Sequence, residues 1–150
     1  MQLVRGDDLK TAILTIDDIA SENTPAIVDH LNEKGIQAIM FAWGERTERY
    51  FDNALYAISH GMIAGNHSYS HPFFSKLTFE ECRAEIERCE EVLDRLYASA
   101  GEERRYRPFR FPYGDKGGAN KAALQMYLQE RGFDKLDDTL ICYRNTYDNR

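Results

Sequence analysis

Two short segments of the sequence carry residue types that could bind a metal ion. Asp17 and Asp18 follow an apolar run, and His67 and His71 follow the turn-like Gly65-Asn66. Neutral imidazoles and a carboxylate can hold a divalent cation with open positions, which is what a Lewis-acid catalyst needs. The H-x-x-x-H spacing alone is a weak signal, because such histidines are often ordinary surface or capping residues. Together the segments predict a mononuclear metal hydrolase, provided that the fold brings them close.

Strands alternate with helices along the chain, which is typical of an α/β fold with a largely parallel sheet. Ligands of such folds collect at the carboxyl ends of the strands. Three polar clusters follow predicted strands here, so we expect them at one edge of the sheet: residues 17–18, 67–71 and 110–115. The hydrophobic patterns predict strands at 11–16, 36–43, 62–64, 106–111 and 139–143, and helices at 24–35, 50–59, 78–101 and 119–130.

Composition and charge restrict the class of protein. The chain has 150 residues, 43% of them hydrophobic, and a formal net charge of −6. This length predicts one domain with its own core, and the negative charge disfavours nucleic acid as a partner. No apolar stretch reaches the roughly 20 residues that span a bilayer, and the first eight residues lack the apolar core of a signal peptide. We expect a soluble protein that is cytoplasmic, or secreted if the sequence has been trimmed.

The three cysteines form no closed disulfide framework, because their number is odd. Cys82 and Cys89 are seven residues apart on a predicted helix, which is too far for a bridge. Buried thiols are the preferred interpretation, with metal binding or redox chemistry as the alternative.

Three ordered motifs resemble those of the polysaccharide deacetylase family, also called carbohydrate esterase family four. They are Thr15-Ile16-Asp17-Asp18, Gly65-Asn66-His67-Ser68-Tyr69-Ser70-His71-Pro72 and Arg110-Phe111-Pro112-Tyr113-Gly114. The resemblance covers residues 10–115 and implies a deformed (β/α) barrel with a metal site at its mouth. It also implies an enzyme that uses a divalent metal, usually Zn²⁺, and an N-acetylated saccharide substrate.

The resemblance assigns a role to each motif residue. Asp18, His67 and His71 would bind the ion, and Asp17 would be the general base that deprotonates water. Arg110 would orient Asp17 and keep it ionised, because a nearby cation favours the charged form of a carboxylate. Tyr113 would donate its backbone N–H to the oxyanion, in a turn fixed by Pro112.

The later motifs of the family have no counterpart in this sequence. The family has an aspartate followed by a tryptophan, and then a leucine-x-histidine that supplies the general acid. The other histidines, His30 and His60, lie too early in the chain, and no tryptophan follows the late aspartates. We therefore expect either a truncated chain or a short variant that completes its core by self-association, with turnover impaired by the missing acid.

Three functions remain open from the sequence. The first is a metal-dependent hydrolase that removes N-acetyl groups from amino sugars. The others are a catalytically weak carbohydrate-binding or interaction protein on the same scaffold, and a deacylase of small amides. Four aromatic residues could stack on sugar rings or belong to the core: Trp43, Tyr69, Phe73 and Phe74.

Overall fold

A three-stranded parallel sheet forms the centre of the computed structural model, which describes residues 12–135. The strands lie in the order β1-β2-β3, and both neighbouring pairs are parallel. This confirms the α/β class predicted from the sequence. Three strands do not close a barrel, and the strand predicted at 139–143 falls outside the described residues. The strands are β1 (Leu14–Ile19), β2 (Ala38–Ala42) and β3 (Ile63–Asn66).

The first strand runs further than its apolar run predicts. Asp17 and Asp18 lie inside β1, at a register shift between Ile16 and Ile19 in the pairing with β2. An irregular pairing of this kind bends a strand and redirects its side chains. The two aspartates are therefore presented by the strand itself.

Five α-helices accompany the sheet within residues 12–135. Four of them correspond to predicted helices, and the longest begins at the predicted capping box: Thr78 Oγ1 accepts from Glu81 N at 3.2 Å, and Glu81 Oε2 accepts from Thr78 N at 2.8 Å. It ends at Gly101, whose φ of 67° suits glycine. The helices are α1 (Thr24–Glu33), α2 (Gly44–Arg49), α3 (Phe51–Ser59), α4 (Phe79–Ala100) and α5 (Lys121–Glu130).

The strand predicted at 106–111 is not formed. The segment is extended and makes only isolated bridges, from Phe109 to Asn66 and from Pro108 to Asp134. Pro108 has no N–H to donate, so a regular ladder cannot continue through it. The bridge at Asn66 nevertheless places the segment beside the carboxyl end of β3, because Asn66 N donates to Pro108 O at 2.8 Å and Arg110 N donates to Asn66 O at 3.0 Å.

The core lies between the sheet and the apolar faces of the helices. Its side chains come from β2, from α1 and α3, and above all from α4. Cys82 and Cys89 are free and fully buried in α4, which confirms their interpretation as buried thiols. Burial raises the pKa of Cys82 to about 11 and that of Cys89 further, so neither is a reactive thiolate. Within residues 12–135, no helix combines the length and the apolar character needed to cross a membrane.

Candidate metal centre

Asp18, His67 and His71 converge at the carboxyl edge of the sheet. The Nε2 atoms of His67 and His71 lie 3.5 and 3.1 Å from Asp18 Oδ1, and 3.3 Å from each other. All three ligand atoms fall within 4.8 Å of one another. The residues that the sequence predicted as a ligand set are therefore brought together, in a cluster small enough for a single ion.

The chemistry of these donors fits a divalent cation. His67 Nδ1 lies 2.8 Å from the backbone carbonyl oxygen of Arg110, so Nδ1 carries a proton and Nε2 is the nitrogen that faces the cluster. Burial lowers the pKa of His71, although the negative charge of Asp18 acts in the opposite direction. The His71 imidazole is thus disposed to be neutral, which is the form that binds a metal.

Backbone strain is concentrated at this site. In residues 12–135, the non-glycine residues with positive φ are Asp18, Ser68, His71 and Tyr113, with φ between 58° and 65°. Such conformations cost about 1–3 kcal/mol each and persist where the surroundings enforce them. Every one of the four belongs to a motif that the sequence singled out. The strained backbone positions therefore fall in the three motifs that carry the candidate site residues.

Asp17 and Asp18 have different partners. Asp17 Oδ1 accepts a hydrogen bond of 2.6 Å from Arg110 Nη1, which also donates to Thr15 Oγ1 at 2.9 Å. The Arg110 guanidinium lies 4.2 Å from the centroid of the Phe41 ring and is only 13% exposed, so its position is well defined. Successive side chains on a strand point in different directions, which frees Asp18 for the histidines and Asp17 for Arg110.

Aromatic rings line one side of the cluster. His71 stacks on Trp43 with centroids 4.8 Å apart, and it also meets the Tyr113 ring edge-on at 4.6 Å. Tyr113 in turn stacks on Phe73 at 4.1 Å, and both rings are open to solvent, with 62% and 42% of their surface exposed. Of the four aromatic candidates from the sequence, Phe74 and Tyr69 are buried. Trp43 and Phe73 are the two that lie at the site.

Two residues that were assigned no role from the sequence support the site through hydrogen bonds. Asn66, fully buried at the end of β3, accepts from Ser68 N at 2.9 Å and donates to Glu90 Oε1 of α4 at 2.9 Å. Glu90 is itself buried and is paired with Arg104 and Arg107. A signal did exist, because Glu90 is four residues after buried Ile86 and so falls on the apolar stripe of the helix.

Comparison with known proteins decides the family. The model of the polysaccharide deacetylase family matches residues 5–131. The chain belongs to the polysaccharide deacetylase family. This confirms the family predicted from the three motifs.

The relatives that this chain matches are carbohydrate deacetylases and a carbohydrate esterase. It is 37% identical over 103 residues to a peptidoglycan-N-acetylglucosamine deacetylase of Bacillus cereus, covering 68% of this chain and 36% of the relative. It is 28% identical over 120 residues to a peptidoglycan-N-acetylmuramic acid deacetylase of Bacillus subtilis, covering 78% and 24%. A family 4 carbohydrate esterase from Streptomyces lividans, solved in complex with acetate, superimposes with a TM-score of 0.69 at 28% identity, covering 83% and 60%. The matched part of the chain thus spans 36% and 24% of the length of these two curated relatives.

Proposed function

We propose that the protein is a metal-dependent hydrolase that removes N-acetyl groups from amino sugars in oligo- or polysaccharides. The observation that carries the proposal is the convergence of two imidazole nitrogens and one carboxylate within 4.8 Å, beside the Asp17–Arg110 pair. Support comes from the relatives, which are deacetylases of peptidoglycan sugars, and from the acetate bound to the Streptomyces lividans esterase.

Asp18, His67 and His71 would hold the ion. Zinc is the first candidate, because imidazole nitrogen and carboxylate oxygen are common ligands of catalytic zinc, and three protein ligands leave positions for water and substrate. When bound, such an ion acts as a Lewis acid that polarises the amide carbonyl and makes water more acidic.

The remaining residues would move the proton and stabilise the developing charge. Asp17, held by Arg110, would accept the proton of the water that attacks the carbonyl carbon. The backbone N–H of Tyr113 would donate to the oxyanion of the tetrahedral intermediate. The C–N bond then breaks, and the leaving amine takes up a proton.

A dedicated acid for the amine is missing from this edge of the sheet in residues 12–135. His60 lies at the end of α3, close to the amino end of β3, and His30 lies on α1. Asp17 is then the residue left to return its proton to the amine. Without a further acid, we expect turnover to be lower by about 10²- to 10⁴-fold.

The complete protein would close the sheet into the deformed barrel of the family. The chain covers 60% of the Streptomyces lividans esterase, so that structure contains elements that residues 12–135 do not provide. Such elements could come from a longer chain or from self-association of this one.

Metal titration and acetate release test the proposal. We expect stoichiometric Zn²⁺ binding that is lost in Asp18→Ala and His67→Ala and kept in a control, His60→Ala, which removes a histidine remote from the centre. The metal-loaded protein should release acetate from chito-oligosaccharides or peptidoglycan. Persistent binding in both ligand variants would refute the site. Saccharide binding without acetate release would instead favour a carbohydrate-binding protein, and release from small amides alone would favour a deacylase.

A further inference from the structure

The turn from His67 to His71 has a hydrogen-bond acceptor for each of its backbone N–H groups. His67 N donates to Ala42 O at 3.0 Å, Ser68 N to the Asn66 side chain, and His71 N to Ser68 Oγ at 3.1 Å. These three acceptors lie in the sheet or in the turn itself. The two N–H groups at the tip of the turn need an acceptor from elsewhere.

Glu85 of α4 supplies that acceptor. Its Oε2 accepts from Tyr69 N at 3.1 Å and from Ser70 N at 2.7 Å, while its Oε1 accepts from Ser70 Oγ at 2.8 Å. Hydrogen bonds from backbone N–H groups to an ionised carboxylate are roughly twice as strong as neutral ones. A single side chain on a 22-residue helix therefore fixes both central residues of the turn.

The opposite side of the turn is held by α2. Gly44 N donates to Ser68 O at 3.0 Å and Glu45 N donates to Tyr69 O at 2.9 Å. The approach is close: a Cβ on Gly44 would stand 2.8 Å from a ring carbon of Tyr69. The turn is thus clamped between the amino end of α2 and the carboxylate of Glu85.

The clamp acts where the backbone is strained. Ser68 and His71, on either side of the Tyr69-Ser70 pair, have φ values of 65° and 60°. A free chain would leave these conformations, and the two imidazoles would then lose their common direction. Holding Tyr69 and Ser70 maintains both strained neighbours at once.

We propose that Glu85 is a positioning residue of the metal centre, which sets the His67–His71 turn in its ligating geometry before a metal arrives. It acts through the backbone of Tyr69 and Ser70 and touches neither imidazole. As far as it concerns a metal, the proposal rests on the proposed function. Its direct consequence, an ordered turn in the metal-free protein, does not depend on that function.

The test compares three substitutions on α4 in the complete protein. Glu85→Ala removes the acceptor, whereas Glu85→Gln keeps an amide oxygen for the two N–H groups and can donate to Ser70 Oγ. Glu87→Ala is the matched control, because Glu87 accepts from Tyr127 Oη at 2.9 Å and from Arg83 at 3.3 Å, away from the turn. The measurements are Zn²⁺ affinity by chelator competition, and hydrogen exchange of the Tyr69 and Ser70 amides without metal.

We expect Glu85→Ala to weaken Zn²⁺ binding by about 10- to 100-fold, as loss of a residue that orients metal ligands commonly does. Exchange at the two amides should accelerate by at least about tenfold, since each loses its acceptor. Glu87→Ala should stay within about twofold of the wild type in both measurements. Glu85→Gln should fall between Glu85→Ala and the wild type, because its amide can make the same hydrogen bonds without the charge.

Two results would overturn the proposal. One is wild-type affinity and exchange in Glu85→Ala, and the other is an equal loss in Glu87→Ala, which would indicate general loosening of α4. If the wild type binds no zinc, the proposed function fails by itself. The hydrogen-exchange rates of the Tyr69 and Ser70 amides then test the positioning role by themselves. Unchanged rates in Glu85→Ala would refute that role.

Discussion

Neutralising Glu90 should destabilise the protein strongly, because a buried guanidinium depends on it. Glu90 Oε1 and Oε2 accept from Arg104 Nη2 and Nη1, both at 2.9 Å, and the two side chains are only 11% and 9% exposed. Arg107 Nη2 donates to Oε2 at 2.7 Å. Burial raises the pKa of Glu90, but the hydrogen bonds and charge of Arg104 outweigh it, so the net pKa lies below its ordinary value.

The expected loss follows from the charge that is left behind. Removing one partner of a buried ion pair costs about 3–5 kcal/mol, because the other charge remains buried without compensation. Arg104 keeps a second partner, since its Nη1 also donates to Asp94 Oδ1 at 3.0 Å. We therefore expect the lower end of this range for Glu90→Gln, about 3 kcal/mol, which corresponds to a fall of about 6–12 °C in Tm.

Urea denaturation at pH 7 measures this loss against a matched control. Glu103→Gln removes a carboxylate whose partner Arg105 is 74% exposed, so the free energy of unfolding should change by no more than about 0.5 kcal/mol. Because folding lowers the pKa of Glu90, its contribution is present above its ordinary pKa and is lost as the pH falls through the folded value. The gap between wild type and Glu90→Gln should therefore narrow below about pH 4. A loss no larger than that of the control would refute this reasoning.

Three further predictions concern the surroundings of the centre. Burial raises the pKa of Asp115, but hydrogen bonds from Ser75 N and Oγ at 2.9 and 2.7 Å lower it on balance. Asp115→Asn should thus reduce stability at pH 7, and in urea titrations its difference from the wild type should narrow as the pH falls below about 4. Gly44→Ala places a methyl group against Tyr69 and should lower the free energy of unfolding by about 1–3 kcal/mol in the same assay; an unchanged value would contradict the close approach. Phe73→Ala should reduce kcat/KM for chito-oligosaccharides by about 3- to 10-fold and leave Zn²⁺ affinity unchanged, because the exposed ring is available to a sugar. A kcat/KM equal to that of the wild type would exclude this ring from saccharide binding.

The convergence of the candidate ligands could be predicted from the sequence because it follows from topology. In a parallel sheet the carboxyl ends of neighbouring strands share one edge, so residues 49 positions apart in the chain, such as Asp18 and His67, must approach each other. The beginning of α4 was equally predictable, since a capping box is a local signal.

What the sequence did not reveal depends on long-range contacts. The polar segment of α2 has no apolar periodicity, yet it is helical because Thr47 Oγ1 bonds to Ile19 O and the first N–H groups meet the histidine turn. Glu85 looked like a member of the solvated face of α4, whereas Glu90 falls on the apolar stripe, which was a signal of its burial. The partners of both residues follow from the docking of that helix beside the turn, which no local pattern encodes.

In the proposed function, this arrangement would separate metal binding from turnover. The candidate ligands depend on β1, on β3 and on Glu85 and Glu90 of α4, all of which lie within the described residues. A dedicated proton donor for the leaving amine, in addition to Asp17, is not among the residues at this edge of the sheet in 12–135. Loss of such a donor would slow expulsion of the amine, but it would remove none of the hydrogen bonds that hold the histidine turn. Metal affinity should therefore report on the support from α4, whereas the rate of acetate release should report on the acid.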